Sequence, residues 1–119
     1  MEQEKFEELV AEAVESLPKG IRLKLENVDI VVEDYPTSGQ VNPRYKKSVL
    51  GLYQGIPLLE RNHQYGMVLP DKISIFKKNI EQISQNEQEI KKIVAHTVRH
   101  ELAHHFGFSD QELREMGKY

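Results

Sequence analysis

The sequence predicts an α+β fold, in which short strands precede a helical C-terminal third. Apolar residues recur at helical spacing over 6–17, and short runs rich in β-branched residues occupy 28–34 and 72–76. A longer helical repeat covers 90–106. Strands grouped ahead of the main helix favour α+β architecture over a wound parallel sheet, where strands and helices would alternate.

The N-terminal segment is predicted to be an amphipathic helix, with acidic residues on its polar face. We expect Pro18 and Gly20 to end it. The apolar positions that share one face are Phe6, Leu9, Val10, Ala13, Val14 and Leu17.

The middle of the chain is predicted to contain strands and loops. The run VDIVVED at 28–34 is a strand candidate, and the polar stretch YPTSGQVNPRYKK that follows it is typical of a loop. A second strand is expected over 48–55, where Gly51 and Gly55 indicate a bulge or a close backbone approach. A short strand is expected around Met67–Leu69, and KISIF at 72–76 alternates as a strand does.

The C-terminal third begins with a possible short helix over Ile80–Ile83, followed by a long one. Asn86 has the character of an N-cap, with Glu89 three residues later in capping-box position. The apolar repeat of the long helix consists of Ile90, Ile93, Val94, Val98, Leu102 and Phe106.

Gly107 is predicted to end the long helix in the left-handed conformation that glycine adopts readily. Ser109 and Glu112 repeat the capping pattern and predict a short final helix. Leu113 and Met116 are expected to face inward from it.

Length and composition are those of one soluble domain spanning 1–119, with 39% hydrophobic and 29% charged residues. With no cysteine in the chain, disulfides and thiolate metal sites are excluded, so any metal must use His, Asp or Glu. A net charge of −3 without a basic stripe argues against nucleic-acid binding. The acidic N-terminus does not resemble a signal peptide, and no apolar run approaches the length of a membrane span. We therefore expect a cytoplasmic monomer that contacts neither nucleic acid nor membrane.

The stretch VRHELAHHFGFSD contains the strongest functional pattern. His100 and His104 are four residues apart, so on a helix both imidazoles can reach one point. Zinc binds such nitrogen ligands, and Glu101 lies about 100° around the helix from His100, beside the metal rather than on it. A carboxylate there can accept a proton from water that zinc has acidified.

A catalytic zinc needs a third protein ligand and an open position. The candidates after the motif are Asp110, Glu112 and Glu115. Because Gly107 permits a sharp turn, Asp110 can return toward the metal, as the last histidine does in metzincins. The full pattern is HExxHxxGxxD, and zinc is the predicted metal, although imidazole and carboxylate also suit Mn, Fe, Co and Ni.

Each of these residues also has a structural interpretation. The histidines could be bonded to backbone or acidic groups on the helix face, Glu101 could be an ordinary helical glutamate, and Asp110 is favoured at a helix N-terminus even without metal.

His96 is too far along the helix from His104 to share one ion, and is expected to be structural or to line the cleft. His105 is predicted either to pack or to support a ligand from outside the metal's first coordination shell. His63 lies in a loop that could cover the site, but nothing else in the sequence supports this role. Met116 is more typical of a core residue. Possible transition-state donors are Tyr53, Tyr65, His63 and Arg99.

The chain resembles the small bacterial zincin-like metallopeptidases, the minimal zincin family once described as a domain of unknown function. The segments that carry the resemblance are LGLYQGIPL, PDKISIFKKNI and HTVRHELAHHFGFSDQEL. The resemblance implies a compact fold with a small mixed sheet on helices and the HExxH helix lining the cleft. It also implies His100 and His104 as zinc ligands, Asp110 as the third ligand, Glu101 as general base and Gly107 as the turn glycine.

The function expected from this resemblance is zinc-dependent hydrolysis of peptide bonds, with a peptide or protein substrate. The substrate would add as a strand beside the active helix, along either Leu50–Tyr53 or Ile73–Phe76. One alternative is a non-catalytic metal- or peptide-binding module on the same frame. Another is a hydrolase that acts on a non-peptide amide.

Overall fold

The structure, a computed structural model, describes residues 1–25, 27–55 and 71–115, the last three as backbone only. Its helices and strands occur in the order α1 (Gln3–Glu15), α2 (Lys19–Arg22), β1 (Val28–Glu33), β2 (Gly51–Gln54), β3 (Asp71–Phe76), α3 (Lys77–Ile83), α4 (Glu87–His105) and α5 (Asp110–Glu115). Single turns of 3-10 helix cover Leu23–Leu25 and Pro43–Tyr45. The expected strand around Met67–Leu69 lies outside the described residues.

The three described strands form one mixed sheet in the order β1-β3-β2. β1 runs parallel to β3 with Val28 opposite Asp71, and β2 runs antiparallel to β3 with Tyr53 opposite Ile73. β3 is therefore the central strand. Five of its six residues are buried, so the alternation of polar and apolar residues in its sequence does not leave one face of the strand exposed to solvent. The predicted α+β class is confirmed, with a small mixed sheet beside helices.

Helices α1 and α4 pack against each other and α4 covers the sheet, which places the main core between these layers. The predicted N-terminal helix is confirmed, but it ends at Glu15 with Ser16 as its C-cap. Pro18 is then the N-cap of α2, which contains Gly20, because the missing N–H of a proline is tolerated where a helix starts as well as after one ends. The buried apolar core consists of Phe6, Leu9, Val10, Ala13, Ile73, Ile75, Ile80, Ile90, Val94, Val98 and Leu102. Among the described helices, none is long and apolar enough to cross a bilayer.

The N-terminus of α4 is capped as the sequence predicts. The Asn86 side-chain oxygen accepts a hydrogen bond from the backbone N–H of Glu89 at 2.9 Å. The reciprocal bond differs from a standard capping box, because the Glu89 carboxylate accepts from the N–H of Gln85, at 3.2 Å, one residue before the cap. This cap fixes where the helix begins, and so helps to fix which residues of α4 face the sheet.

Candidate metal centre

The end of α4 brings the chain back toward its own histidines. Gly107 has φ 100°, a left-handed conformation that side chains disfavour. The N–H of Gly107 bonds to the carbonyl of His104 at 2.9 Å, and the N–H of Phe108 bonds to that of Ala103 at 3.0 Å. This pairing closes the helix as a Schellman-type turn does, which confirms the predicted glycine stop.

Helix α5 begins directly after this turn, with Asp110 as its first residue. Ser109 caps it, because the Ser109 hydroxyl accepts from the N–H of Glu112 at 3.1 Å and the Glu112 carboxylate accepts from the N–H of Ser109 at 3.2 Å. The predicted capping box is therefore present. The predicted inward-facing side chains of Leu113 and Met116 lie outside the described part. The cap holds Asp110 in one position relative to α4.

The side chains of His100, His104 and Asp110 converge beside the end of α4, and we call these three residues the cluster. The Nε2 atoms of His100 and His104 are 3.2 Å apart. The Asp110 Oδ1 atom is 3.2 Å from Nε2 of His100 and 2.9 Å from Nε2 of His104. Of the three other acidic residues near the motif, Glu101 lies further away, with its Oε2 3.9 Å from Nε2 of His100. Glu112 instead caps α5, and the side chain of Glu115 is outside the described part.

These distances fit a divalent metal such as zinc. Ligand atoms at about 2.0–2.1 Å from a tetrahedral ion lie about 3.3 Å from one another. The two nitrogens and the Asp110 oxygen form a triangle with sides of 3.2, 3.2 and 2.9 Å. His100, His104 and Glu101 also offer ligating atoms that all lie within 4.8 Å of one another. Since the Asp110 oxygen is closer to both imidazoles, the geometry favours the two histidines with Asp110.

His104 is oriented by the turn itself. Its Nδ1 lies 2.7 Å from the carbonyl oxygen of Phe108, so Nδ1–H donates and Nε2 keeps its lone pair toward the cluster. Sequence reasoning did not find this contact, because the partner is a backbone carbonyl that any residue at position 108 would supply. The turn thus serves twice, since it positions Asp110 and sets the tautomer of His104.

Burial adjusts the titration of two groups at the centre. Burial and the neighbouring His104 lower the pKa of His100, which favours the neutral, ligating imidazole. Burial raises the pKa of Glu101, which is only 7% exposed, although His104 and a hydrogen bond from the backbone N–H of Tyr53 act in the opposite direction. A carboxyl with a raised pKa is suited to accept a proton and release it again.

A pocket of about 520 Å³ opens over this cluster. One side is formed by the segment from Ser48 to Tyr53, which includes β2. The other side carries His96 and Thr97 together with the cluster residues of α4 and Asp110. His96 lies beside His100, with ring centroids 6.2 Å apart, as expected for a residue that lines the cleft rather than one that joins the cluster.

A second group of polar side chains, those of Tyr53, Asp71 and His105, lies behind the cluster. The sequence did not predict this group, because its members are far apart in the chain. The Tyr53 hydroxyl donates to Oδ2 of Asp71 at 2.7 Å, and Nδ1 of His105 lies 2.8 Å from the same oxygen. Asp71 and His105 are each only 2% exposed. His105 is buried, in agreement with the expectation that it packs or supports a ligand from outside the first coordination shell. The hydroxyl of Tyr53, a predicted transition-state donor, is directed at Asp71. Arg99, another proposed donor, is exposed and does not line the pocket.

Two glycines allow β2 to lie close to its neighbours. A Cβ atom at Gly51 would be 2.6 Å from Cγ2 of Thr97, and one at Gly55 would be 2.4 Å from Oδ1 of Asp71. The predicted close backbone approach is therefore confirmed at both positions. His63 and Tyr65, the other candidates for the site, lie outside the described residues.

Comparison with known proteins gives a family match and a similar solved structure. The model of the zincin-like metallopeptidase family matches residues 25–118. A conserved hypothetical protein from Thermus thermophilus has a similar fold, with TM-score 0.56 and 22% identity over 98% of this chain and 97% of that one. No curated protein gives a significant match.

Proposed function

The chain belongs to the zincin-like metallopeptidases, and from that premise we propose that it is a zinc-dependent peptidase. The observation that carries the proposal is the triangle formed by His100, His104 and Asp110, with the buried Glu101 carboxylate at its edge. In this proposal the arrangement would supply three ligands and a separate base, which are the parts that zinc-assisted hydrolysis requires.

We assign His100, His104 and Asp110 as the ligands. Bound zinc would polarise a substrate carbonyl and make a water molecule acidic enough to attack near neutral pH. Asp110 contributes a negative charge to the ligand set, and its 51% exposed side chain leaves room at that side for solvent and substrate.

Glu101 acts as the general base in this proposal. Its carboxylate accepts a proton from the attacking water and later gives that proton to the departing amine. Burial raises its pKa and so strengthens it as a base, while the bond from the Tyr53 N–H fixes the carboxylate in place. Two carboxylates therefore have separate tasks, because Asp110 lies against both imidazoles and Glu101 lies beside them.

The substrate is proposed to be an extended peptide that lies along β2. Of the two segments considered, Ile73–Phe76 belongs to the central strand β3, which has neighbours on both sides. β2 is paired on one side only among the described strands, and its residues Gly51–Tyr53 line the pocket. A peptide added there would form main-chain hydrogen bonds with the outward-facing groups of β2 other than the Tyr53 N–H, which donates to Glu101, and would bring a carbonyl to the cluster.

The proposal is tested with zinc-loaded protein and a mixed library of unstructured peptides, in which new peptide termini are measured by mass spectrometry. We expect cleavage by the wild type. In Glu101→Gln, a shape-matched change, we expect a loss of at least about 100-fold in rate with zinc still bound. Lys92→Gln, on an exposed part of α4, is the matched control and should cleave like wild type.

Two other results would contradict the proposal, and each would favour one of the alternative functions. A protein that binds zinc and peptides but cleaves none would be the non-catalytic module. A protein that ignores peptides but hydrolyses other amides in a Glu101-dependent way would be a different hydrolase.

A further inference from the structure

We propose that Tyr53, Asp71 and His105 form a positioning network that holds the Glu101 carboxylate in place from behind the metal centre. The proposal rests on the proposed function for the role of Glu101, but the network is defined by contacts of its own. None of its three side chains belongs to the proposed ligand set.

The network is centred on one carboxylate oxygen. Oδ2 of Asp71 accepts from the Tyr53 hydroxyl at 2.7 Å and from Nδ1–H of His105 at 2.8 Å. The Tyr53 hydroxyl is also 3.3 Å from Nδ1 of His105, and the two rings meet edge to face with centroids 5.6 Å apart. The three groups therefore constrain one another, so a shift of one is resisted by the other two.

Tyr53 links this network to the base through its main chain. Its side chain is held by Asp71, while its backbone N–H donates to the Glu101 carboxylate. Rotation or translation of β2 would move both bonds together. The hydroxyl of Tyr53 therefore does not contact Glu101 directly. It affects Glu101 only by fixing where the backbone N–H of Tyr53 lies, which makes Tyr53 a positioning residue.

His105 links the same network to the ligands. It follows His104 directly, so the two imidazoles leave α4 about 100° apart, one toward the cluster and the other toward the sheet. Because His105 is anchored to Asp71 in β3, the last turn of α4 cannot rotate without breaking a buried contact. The rotation of that turn decides where the His104 ring lies.

The burial of the network indicates a role in orientation. A buried carboxylate–imidazole pair gives little or no net stability over apolar side chains of similar size, because both groups lose their hydration. Nε2 of His105 has no hydrogen-bond partner among the described residues, which makes the arrangement costlier still. The chain also places Gly55 against Asp71, where any Cβ would collide with the carboxylate. What the network supplies is a fixed geometry between β2, β3 and α4.

The test separates metal binding from the position of Glu101. Zinc affinity is measured first by competitive titration. Acetohydroxamate affinity is then measured on the zinc-loaded protein, because a hydroxamate binds metal and also donates a hydrogen bond to a neighbouring carboxylate. Tyr53→Phe removes only the hydroxyl, and Tyr45→Phe, which removes an exposed hydroxyl, is the matched control.

For Tyr53→Phe we expect zinc affinity within about twofold of wild type and acetohydroxamate affinity lowered about 3- to 10-fold, the loss that corresponds to one hydrogen bond. Glu101→Gln should lower acetohydroxamate affinity at least as much. In the double variant, Tyr53→Phe should add no further loss, because its effect passes through Glu101. Tyr45→Phe should change neither affinity.

Two results would overturn the proposal. One is a double variant in which the two losses multiply, since Tyr53 would then act independently of Glu101. The other is a Tyr53→Phe protein that loses zinc and acetohydroxamate affinity equally, which would indicate a general disturbance of the centre.

A measurement on metal-free protein keeps the network testable even if zinc binding fails. Nuclear magnetic resonance should show a slowly exchanging Nδ1–H proton for His105 and a protected backbone N–H at position 53. In Asp71→Asn, amide exchange at position 53 should become about tenfold faster, while the core amide of Val98 keeps its rate. An unprotected amide at position 53 in the wild type would refute the network, whereas absent zinc binding with a protected amide would refute only the proposed function.

Discussion

Replacing Gly51 with alanine tests the close contact of β2 with α4. The added Cβ would lie 2.6 Å from Cγ2 of Thr97 and 3.2 Å from both Cγ of Glu101 and the carbonyl oxygen of Ser74. Thr97 cannot rotate away cheaply, because it is buried and its hydroxyl donates to the carbonyl of Ile93 at 2.7 Å. β2 must therefore move away from α4, which also changes its position relative to Glu101.

The size of the effect follows from two opposing contributions. Gly51 does not have a positive φ, so alanine meets no backbone strain and should stabilise through the unfolded state by about 0.4–1 kcal/mol. Overpacking costs about 1–3 kcal/mol. We expect a net loss of about 0.5–2 kcal/mol in the free energy of unfolding, measured by urea denaturation. Gly20→Ala, where nothing lies within 4 Å of the new Cβ, is the control and should not destabilise.

A second substitution identifies the atom responsible. Thr97→Ser deletes Cγ2 and keeps the hydroxyl, so in the background of Gly51→Ala it should restore most of the lost stability. We expect a coupling of about 1 kcal/mol between the two changes. A Gly51→Ala protein as stable as wild type, or effects that add within about 0.3 kcal/mol, would refute this account of the contact.

Three further changes test the local structure by urea denaturation. Burial alone would raise the pKa of Glu33, but hydrogen bonds from Ser74 and Lys72 outweigh it and the pKa is lowered. The stabilisation from Glu33 is therefore present above its unfolded pKa and lost as pH falls through the folded pKa, so Glu33→Gln should cost up to about 1 kcal/mol at neutral pH and nothing in acid. An unchanged difference at both pH values would contradict this. Gly107→Ala should cost about 1–2 kcal/mol, because φ is 100°, and a neutral result would exclude the left-handed stop. Asn79→Ala should cost about 1–3 kcal/mol, since its buried amide donates to two carbonyls of the turn before β2, and a loss below about 0.5 kcal/mol would argue against those bonds.

Local signals in the sequence were sufficient to predict most of the fold. The helical repeat of α4, its Asn86 cap and the Gly107 stop each depend on residues within one or two turns, and all three are present. The strands were located less well, because the central position of β3 and the late start of β2 at Gly51 are set by pairing between distant segments. Pattern alone could not decide which strand lies beside the pocket.

In the candidate site, too, local contacts could be predicted from the sequence and contacts between distant segments could not. The residues that the structure brings together, from His100 to Asp110, lie within one helix, one turn and one cap, so their spacing in sequence carries the geometry. The group formed by Tyr53, Asp71 and His105 depends on the register of β2 and β3 and on the rotation of α4, and no short motif encodes that. For the same reason, the sequence could not show that the hydroxyl of Tyr53 is bonded to Asp71 instead of serving as a donor at the metal.

The most direct test of the central claim is a competitive zinc titration of the metal-free protein beside His104→Ala and Asp110→Ala. If His100, His104 and Asp110 form a three-ligand centre, wild type binds one zinc tightly and His104→Ala loses that binding. Asp110→Ala should then bind more weakly by at least about tenfold, with little change in the unfolding free energy of the metal-free protein. Wild-type protein that binds zinc no better than His104→Ala would contradict the claim, and binding unaffected by Asp110→Ala would assign the third position to another residue.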